Sequence, residues 1–414
     1  MKIQQYFMKV LSIICLSFLY MVFSCGSDYY EPRTIIPEMF ADARPLDQTS
    51  EIQPPLADVL AFELSFGADN VPDEFLITRL IGKQDFTVDD EDNVYIYDEY
   101  RLKVFDKNCM AKTIIGRPGE GPGEFMSRDA LPTVGPQGYI TVFNGMYNTF
   151  YSVFNPQHKF IYNVNRKPRE SGPQYSCKVI TIDEDEYISE VIDRHKNDNF
   201  MIGTFSLVHT KNEEKDTIAS YDVPIQVIIG GDDSSLPNTG DLFWDLLPGG
   251  KVIYTHSWQD ELNTPEGNFY IIHVYDLDTG ERIMYKKLFT PVPMEKRLLL
   301  GPRWISGGDS RAEKIRDDYI RNLKIKYAEA LRFVFFDGPV MFAYTNTTIK
   351  KDKYTDFLVD VIDIENEKYL KSIYLINYIG IKAIKNGYAY MNGNNEDGFP
   401  VIEKYRIDPS VYGK

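Results

Sequence analysis

The chain has 414 residues, with 61 Asp and Glu against 45 Lys and Arg, and a formal net charge of −16. No basic stripe offsets that excess, so a phosphate backbone is repelled and nucleic acid is excluded as a partner. The four cysteines form no CxxC or Cys/His cluster with metal spacing, so neither a metal site nor any cofactor is expected.

The first predicted element is a leader. Lys2 and Lys9 flank the start of an apolar run, Val10 to Ser24. That run is short for a spanning helix, which needs about 20 residues, and it fits a secretory signal. It ends in Val22-Phe23-Ser24-Cys25, followed by Gly26 and Ser27. This stretch resembles the lipobox of bacterial lipoproteins, and the resemblance implies cleavage before Cys25 and lipidation of its thiol. Residues 1–24 are then a signal peptide, and losing Lys2 and Lys9 takes the mature chain to −18. An uncleaved anchor is the alternative. Either way the membrane is a partner, and the expected location is the cell envelope, on a periplasmic or outer-membrane surface.

Residues 25–58 mix Pro, Ser and acids with little period, so an extended tether is expected there. Of the cysteines left, Cys109 and Cys177 are far apart and are expected to be free thiols.

Periodic sequence fills 59–414. In FTVDDEDNVYIYDEYRLKVFD (86–106) apolar residues alternate over three short strands separated by turns, and Met110 to Ile115 adds a fourth. Four antiparallel strands in about 35 residues make one propeller blade. The same grammar recurs at 139–164, 177–210, 242–289, 331–376 and 379–407, with several strands ending in Asp or Asn before a turn. The predicted fold is all-β: a six-bladed β-propeller of four-stranded antiparallel blades. The last unit has only three strands, so part of 60–83 is expected to complete it and remove two open sheet edges.

The segment 86–125, with Asn93-Val94-Tyr95-Ile96, Asp98, Arg101, Val104-Phe105-Asp106 and GRPGEGPGEF, resembles an NHL-type repeat. It is similar to the six-bladed β-propeller lipoproteins of Gram-negative bacteria. That resemblance implies a fold and a location, and no catalytic residue.

Gly119, Gly121 and Gly123 in IIGRPGEGPGEF raise the question of a phosphate loop. Such a loop needs converging N–H groups and usually a helix behind them. Pro118 and Pro122 remove two donors, and no helical pattern follows Phe125, so an inter-blade turn is expected. Arg117 and Glu120 on it remain ligand-binding candidates. Asp89 to Asn93 lack the Gly and closing Glu of an EF-hand and read as a hairpin turn. The five histidines, His158, His195, His209, His256 and His273, share no common strand position, so no metal site is assigned, and no nucleophile motif appears.

Near 294–330 the pattern becomes helical. Ser310 and Glu313 form a capping box, Ile315, Tyr319, Ile320, Leu323 and Tyr327 share one face, and Asp317 can pair with Arg321. The helix either packs on the propeller or acts as a lid. Arg303 and Trp304, on the Gly-rich loop before it, are the leading ligand-binding candidates, and Trp258 joins them. The functional expectation is a lipid-anchored, non-catalytic binding scaffold that presents a propeller face to a protein or polymer. The alternatives are a propeller enzyme, a lyase or hydrolase at the central channel, or a glycan-binding lipoprotein.

Overall fold

Short runs rich in Val, Ile, Phe and Tyr suit half-buried pleated surfaces, and here they pair into six antiparallel sheets arranged as blades. The computed structural model describes residues 37–46, 55–67, 71–82, 85–128, 130–143, 150–165, 178–229, 232–236, 240–294, 311–322, 326–350, 355–376 and 380–414. Cys25, Cys177, Arg303, Trp304 and Leu323 lie outside these.

Blade one is Phe86–Val88, Val94–Asp98, Arg101–Phe105 and Ala111–Ile115. Blade two is Leu131–Val134, Ile140–Phe143, Phe150–Phe154 and Phe160–Asn165. Blade three has long strands, Glu186–Asn197, Phe200–Lys211 and Glu214–Ile229, between the short Val179–Thr181 and Asp232–Ser235. Blade four is Leu242–Leu247, Lys251–His256, Gly267–Asp276 and Arg282–Phe289, with Glu261–Thr264 as an added hairpin strand. Blade five runs from Leu331–Asp337 to Lys368–Ile376. Blade six is Ile381–Lys385, Tyr388–Asn394 and Pro400–Ile407, and Leu60–Phe66 pairs antiparallel with the last of these as the outer strand. The chain's early sequence therefore closes the ring, and Phe66 is fully buried in the core between blades six and one.

First strands of neighbouring blades touch one another, so they line the axis. The strand directions then fix two faces. First-to-second and third-to-fourth hairpins share one face, called here the hairpin face. Second-to-third turns and inter-blade connections share the other, the loop face.

On the hairpin face the Asp or Asn ending a third strand has a definite task. Asp106 Oδ1 accepts from the N–H groups of Asn108 and Met110, both at 2.9 Å. Asn155 Oδ1 accepts from Gln157 and Lys159, and Asp276 Oδ1 from Asp278 and Thr279. Each side chain satisfies donors that the reversing backbone cannot pair. The acidic turn works alike: Asp89 accepts from the N–H of Glu91 and of Asn93, Asp90 pairs with Lys385 at 2.6 Å, and Asp92 accepts from Asn386 of blade six. These contacts make it the hairpin expected from sequence.

Two sequence expectations differ in detail. Residues 193–199, whose charged sequence DRHKNDN reads as a loop, are the tip of an antiparallel arm formed by the long strands of blade three. Part of the expected tether also lies on the rim. Arg44–Pro45 pairs in parallel with the outer strand of blade four, Leu56 bridges Ile373 of blade five, and Phe40, Ala43 and Leu46 are buried. Burying those apolar side chains and covering sheet edges outweighs the low periodicity of the segment.

The inserted helix spans Arg311–Asn322 and packs on the two outer strands of blade three. Ile320 is buried, as expected for a packed helix. Asp317 is taken mainly by its neighbour Arg316 at 2.8 Å, while Arg321 bonds Asp318 at 3.0 Å and only approaches Asp317, at 4.0 Å. Arg316 also reaches Ser234 of blade three.

Candidate functional site

The loop face gathers the sequence candidates that fall among the described residues. The connection from blade one to blade two carries Arg117 and Glu120, and the second-to-third turn of blade four carries Trp258. They share a face but stand on different blades.

The glycine-rich loop answers its own anion question. The Glu124 carboxylate folds back, accepting from the Gly121 N–H at 2.8 Å and from Arg117 Nε at 2.6 Å. The backbone N–H and then the guanidinium hold this carboxyl below its usual range. The place a phosphate would need is filled by the loop's own acid. Phe125 anchors the turn: it is fully buried, edge-on to Tyr97 with centroids 5.4 Å apart. Gly116 is needed beside it, because its φ is +73° and a Cβ would lie 2.2 Å from the Phe125 ring. Arg117 and Glu120 stay exposed.

The second region lies between blades three and four. Gly240, at φ +79°, passes so close that a Cβ would sit 2.5 Å from His256 Cε1. The next residue, Asp241, donates its N–H to Ser257 Oγ at 3.0 Å, and Ser257 N–H donates to the Asp241 carbonyl at 2.9 Å. His256 is buried, and its Nδ1 accepts from the N–H groups of Trp258 and Gln259. That role assigns the ring proton to Nε2. Burial lowers the His256 pKa to about 4, against a smaller pull from Asp260, so the ring is neutral near pH 7.

Asp260 organises this region. Its carboxylate is buried and accepts from the His256 N–H at 2.7 Å and from Tyr221 of blade three at 2.8 Å. His273 Nε2 stands 3.0 Å away, off the line of a good hydrogen bond, so that contact counts as electrostatic. Burial pushes the Asp260 carboxyl up, but His273 and the His256 N–H together hold it below the usual range. Tyr254 stacks flat on His273 at 4.7 Å, and Tyr221 lies over His256 at 4.8 Å. Arg282 covers Tyr254 and donates to the Ile218 carbonyl of blade three. Asp260, His256, His273, Tyr221 and Tyr254 are all buried, and only Arg282 reaches solvent. The network therefore shapes the turn that carries Trp258, which is half-buried with its backbone held at residues 256–260.

Close by, three carboxyls come from separate pieces of chain. Glu261 accepts from the buried Ala330 N–H, Glu329 adjoins it, and Asp241 faces Glu329. Arg332 acts on Glu329 as the opposing charge. Among the described residues no three His, Cys, Asp or Glu are arranged to hold a metal ion. On the opposite, hairpin face, a cavity of about 290 Å³ is lined by Tyr139, Asp183, Glu184, Asp185, Glu186 and Lys211, among others. There Glu186 is already committed to His209 at 2.7 Å and Lys211 at 3.0 Å.

Sequence reasoning missed the Asp260 network. The one local signal is His256 and Asp260, four residues apart. Tyr221 and His273 arrive from other strands, and no spacing announces them.

No family model matches the chain, and no curated protein matches it. Among solved structures the chain is similar to an exported protein of Bacteroides fragilis, at 14% identity over 88% of this chain and 98% of that one, with a TM-score of 0.48. It is also similar to hydrazine synthase of Kuenenia stuttgartiensis, at 12% identity over 78% and 76%, TM-score 0.34. A third is BamB of Moraxella catarrhalis, at 8% identity over 77% and 83%, TM-score 0.31. These overlaps are loose, so the blade count rests on this chain's own strand pairing.

Proposed function

We propose that this chain is a lipid-anchored protein of the cell envelope that works as a non-catalytic binding scaffold, presenting its loop face to a protein or polymer ligand. The observation that carries the reading is the support under Trp258. A sealed network of Asp260, His256, His273 and Tyr221 fixes the turn, so a half-open indole is held at the surface with little freedom left to lose on binding. Arg117 and Glu120 add exposed charge on the same face, and loops on a rigid scaffold are where binding residues concentrate. The anchor rests on Lys2, Lys9 and the Val22-Phe23-Ser24-Cys25 junction.

Two measurements test it. Cells fed a palmitate analogue should label the wild type and leave Cys25→Ala unlabelled, and equal labelling removes the anchor from the proposal. Immobilised protein should retain envelope polymer or protein, and Trp258→Ala should reduce retention at least about fivefold, a loss of the order expected for one aromatic contact. Retention unchanged by Trp258→Ala, but lost with Asp278→Ala on the hairpin face, would reverse the choice of face.

A further inference from the structure

The chain's early residues hold the rim of three blades in turn. Pro37–Phe40 is a single 3-10 turn packed beside Glu261–Thr264 of blade four. Ala43 N–H donates to the Phe40 carbonyl at 3.0 Å, and Leu46 N–H donates to the Lys286 carbonyl at 3.3 Å. Phe40 and Ala43 pack with Leu262 and Ile271, and Leu46 joins the core between blades four and five. The Phe40 ring also lies 6.2 Å from that of His273, so this segment reaches the network beneath Trp258. Farther on, Leu56 N–H donates to the Ser372 carbonyl of blade five at 3.2 Å, and the Leu56 carbonyl accepts from Tyr374 N–H at 2.7 Å. The Val59 carbonyl then accepts from the N–H of Asp408, just past the last strand of blade six, at 2.9 Å.

Covalent geometry turns the first of these contacts into a limit. The twelve Cα-to-Cα steps from Cys25 to Pro37 span at most about 40 Å, along any path. A compact domain of about 350 residues is about 50 Å across. Blade one lies three places from blade four in either direction around the ring, so their rims are on opposite sides. A chain held by lipid at Cys25 therefore cannot rest the rim of blade one on the bilayer. Pro37 would then stand about 50 Å from the surface, farther than the chain reaches.

We infer that residues 37–46 are a strap that fixes the membrane tether to the rim of blade four, so that the anchored propeller turns blade four toward the lipid surface and blade one away from it. The inference rests on the lipidation of Cys25 proposed above. It also divides the loop face in two. Trp258 precedes Glu261–Thr264, the strand beside which the strap enters, and so stands on the membrane side. Arg117 and Glu120, on the connection leaving blade one, stand on the far side. A ligand meeting Trp258 is then met close to the bilayer, and one meeting Arg117 and Glu120 is met away from it.

Energy transfer from the whole lipidated chain to the bilayer tests this, in phosphatidylcholine vesicles carrying a trace of acceptor-labelled lipid. A fluorescent amino acid replaces Lys107 in blade one or Asp278 in blade four, two exposed residues at equivalent third-to-fourth turns. Transfer should be at least about twofold greater from position 278 than from position 107, because the two points stand roughly a domain's width apart. Equal transfer, or more from position 107, in protein that floats with the vesicles overturns the orientation and leaves the anchor standing. A wild type that does not float, or a Cys25→Ala chain that floats equally well, removes the anchor and the orientation together. A longer tether gives a second reading without touching the fold. About thirty Gly and Ser residues inserted after Ser27 extend the reach beyond about 100 Å and should shrink the difference between the two positions. An undiminished difference in that variant overturns the claim that the strap and its short tether set the orientation.

Discussion

On the hairpin face the strands reverse in two to five residues, and the same device recurs from blade to blade, an Asp or Asn side chain taking the N–H groups of the turn. On the loop face 41 residues separate Phe289 from Leu331, blade three extends an arm, and a helix packs on that arm. The hairpin face repeats because it solves the same closure problem in each blade. The loop face differs from blade to blade because its side chains are committed to features that closure does not require. The Asp260 network, the Glu261 contact and Trp258 all lie there.

The contrast is broken most forcefully at Asp260. Removing a buried carboxylate strands the groups around it, so Asp260→Ala is expected to cost about 3–5 kcal/mol. Asp278→Ala, at an exposed turn on the hairpin face, should cost less than about 0.5 kcal/mol. Urea unfolding of both variants checks the pair. Similar midpoint shifts would show that the two faces do not differ in this way.

Next in size is the pH dependence at Glu261. Its pKa is about 8 in the fold against 4.5 ordinarily. Between those values the folded state keeps a proton that the unfolded state has lost, so stability falls as pH rises through that window. Glu261→Gln removes that cost and should stabilise by on the order of 2 kcal/mol near pH 8, and by little near pH 4. Thermal melts across pH measure it. His256 has the opposite sign. Its depressed pKa means that stability is lost as pH falls below about 6.5, a loss that is complete near pH 4.

Smaller still are the turn side chains. Asp106→Ala leaves two N–H groups to water and should cost about 1 kcal/mol. Cys109, the left-handed residue of the same turn at φ +61°, occupies a conformation that glycine adopts freely. Cys109→Gly should therefore change stability by less than about 1 kcal/mol, in the stabilising direction. Chemical denaturation resolves both.

These turns are also what made the fold legible. Asp106, Asn155 and Asp276 act within four residues of themselves, so their pattern survives in the sequence and repeats with the blades. The closing strand was legible for a related reason, since a three-stranded last unit leaves an edge that Leu60–Phe66 covers. Other elements were not. Leu131–Val134 carries Pro132, and Glu214–Ile229 carries Pro224, and each proline obscures a strand that tertiary pairing nevertheless sustains. The rim contacts of Phe40 and Leu46 depend on blade four being present, and no local period encodes them. The site was least legible of all. Trp258 could be singled out as an aromatic residue on a loop, but the groups that hold its turn come from positions 221, 256, 260 and 273, brought together only by the packing of blade three on blade four.

The central claim, that the loop face and not the hairpin face meets the ligand, is tested most directly by site-specific photo-crosslinking in intact cells. A photoreactive residue would replace Glu120 or Trp258 on the loop face, and Asp278 or Glu365 on the hairpin face, all of them at or near the surface. The account predicts a discrete adduct from the loop-face positions and none from the hairpin-face positions. Adducts confined to Asp278 and Glu365 would contradict it.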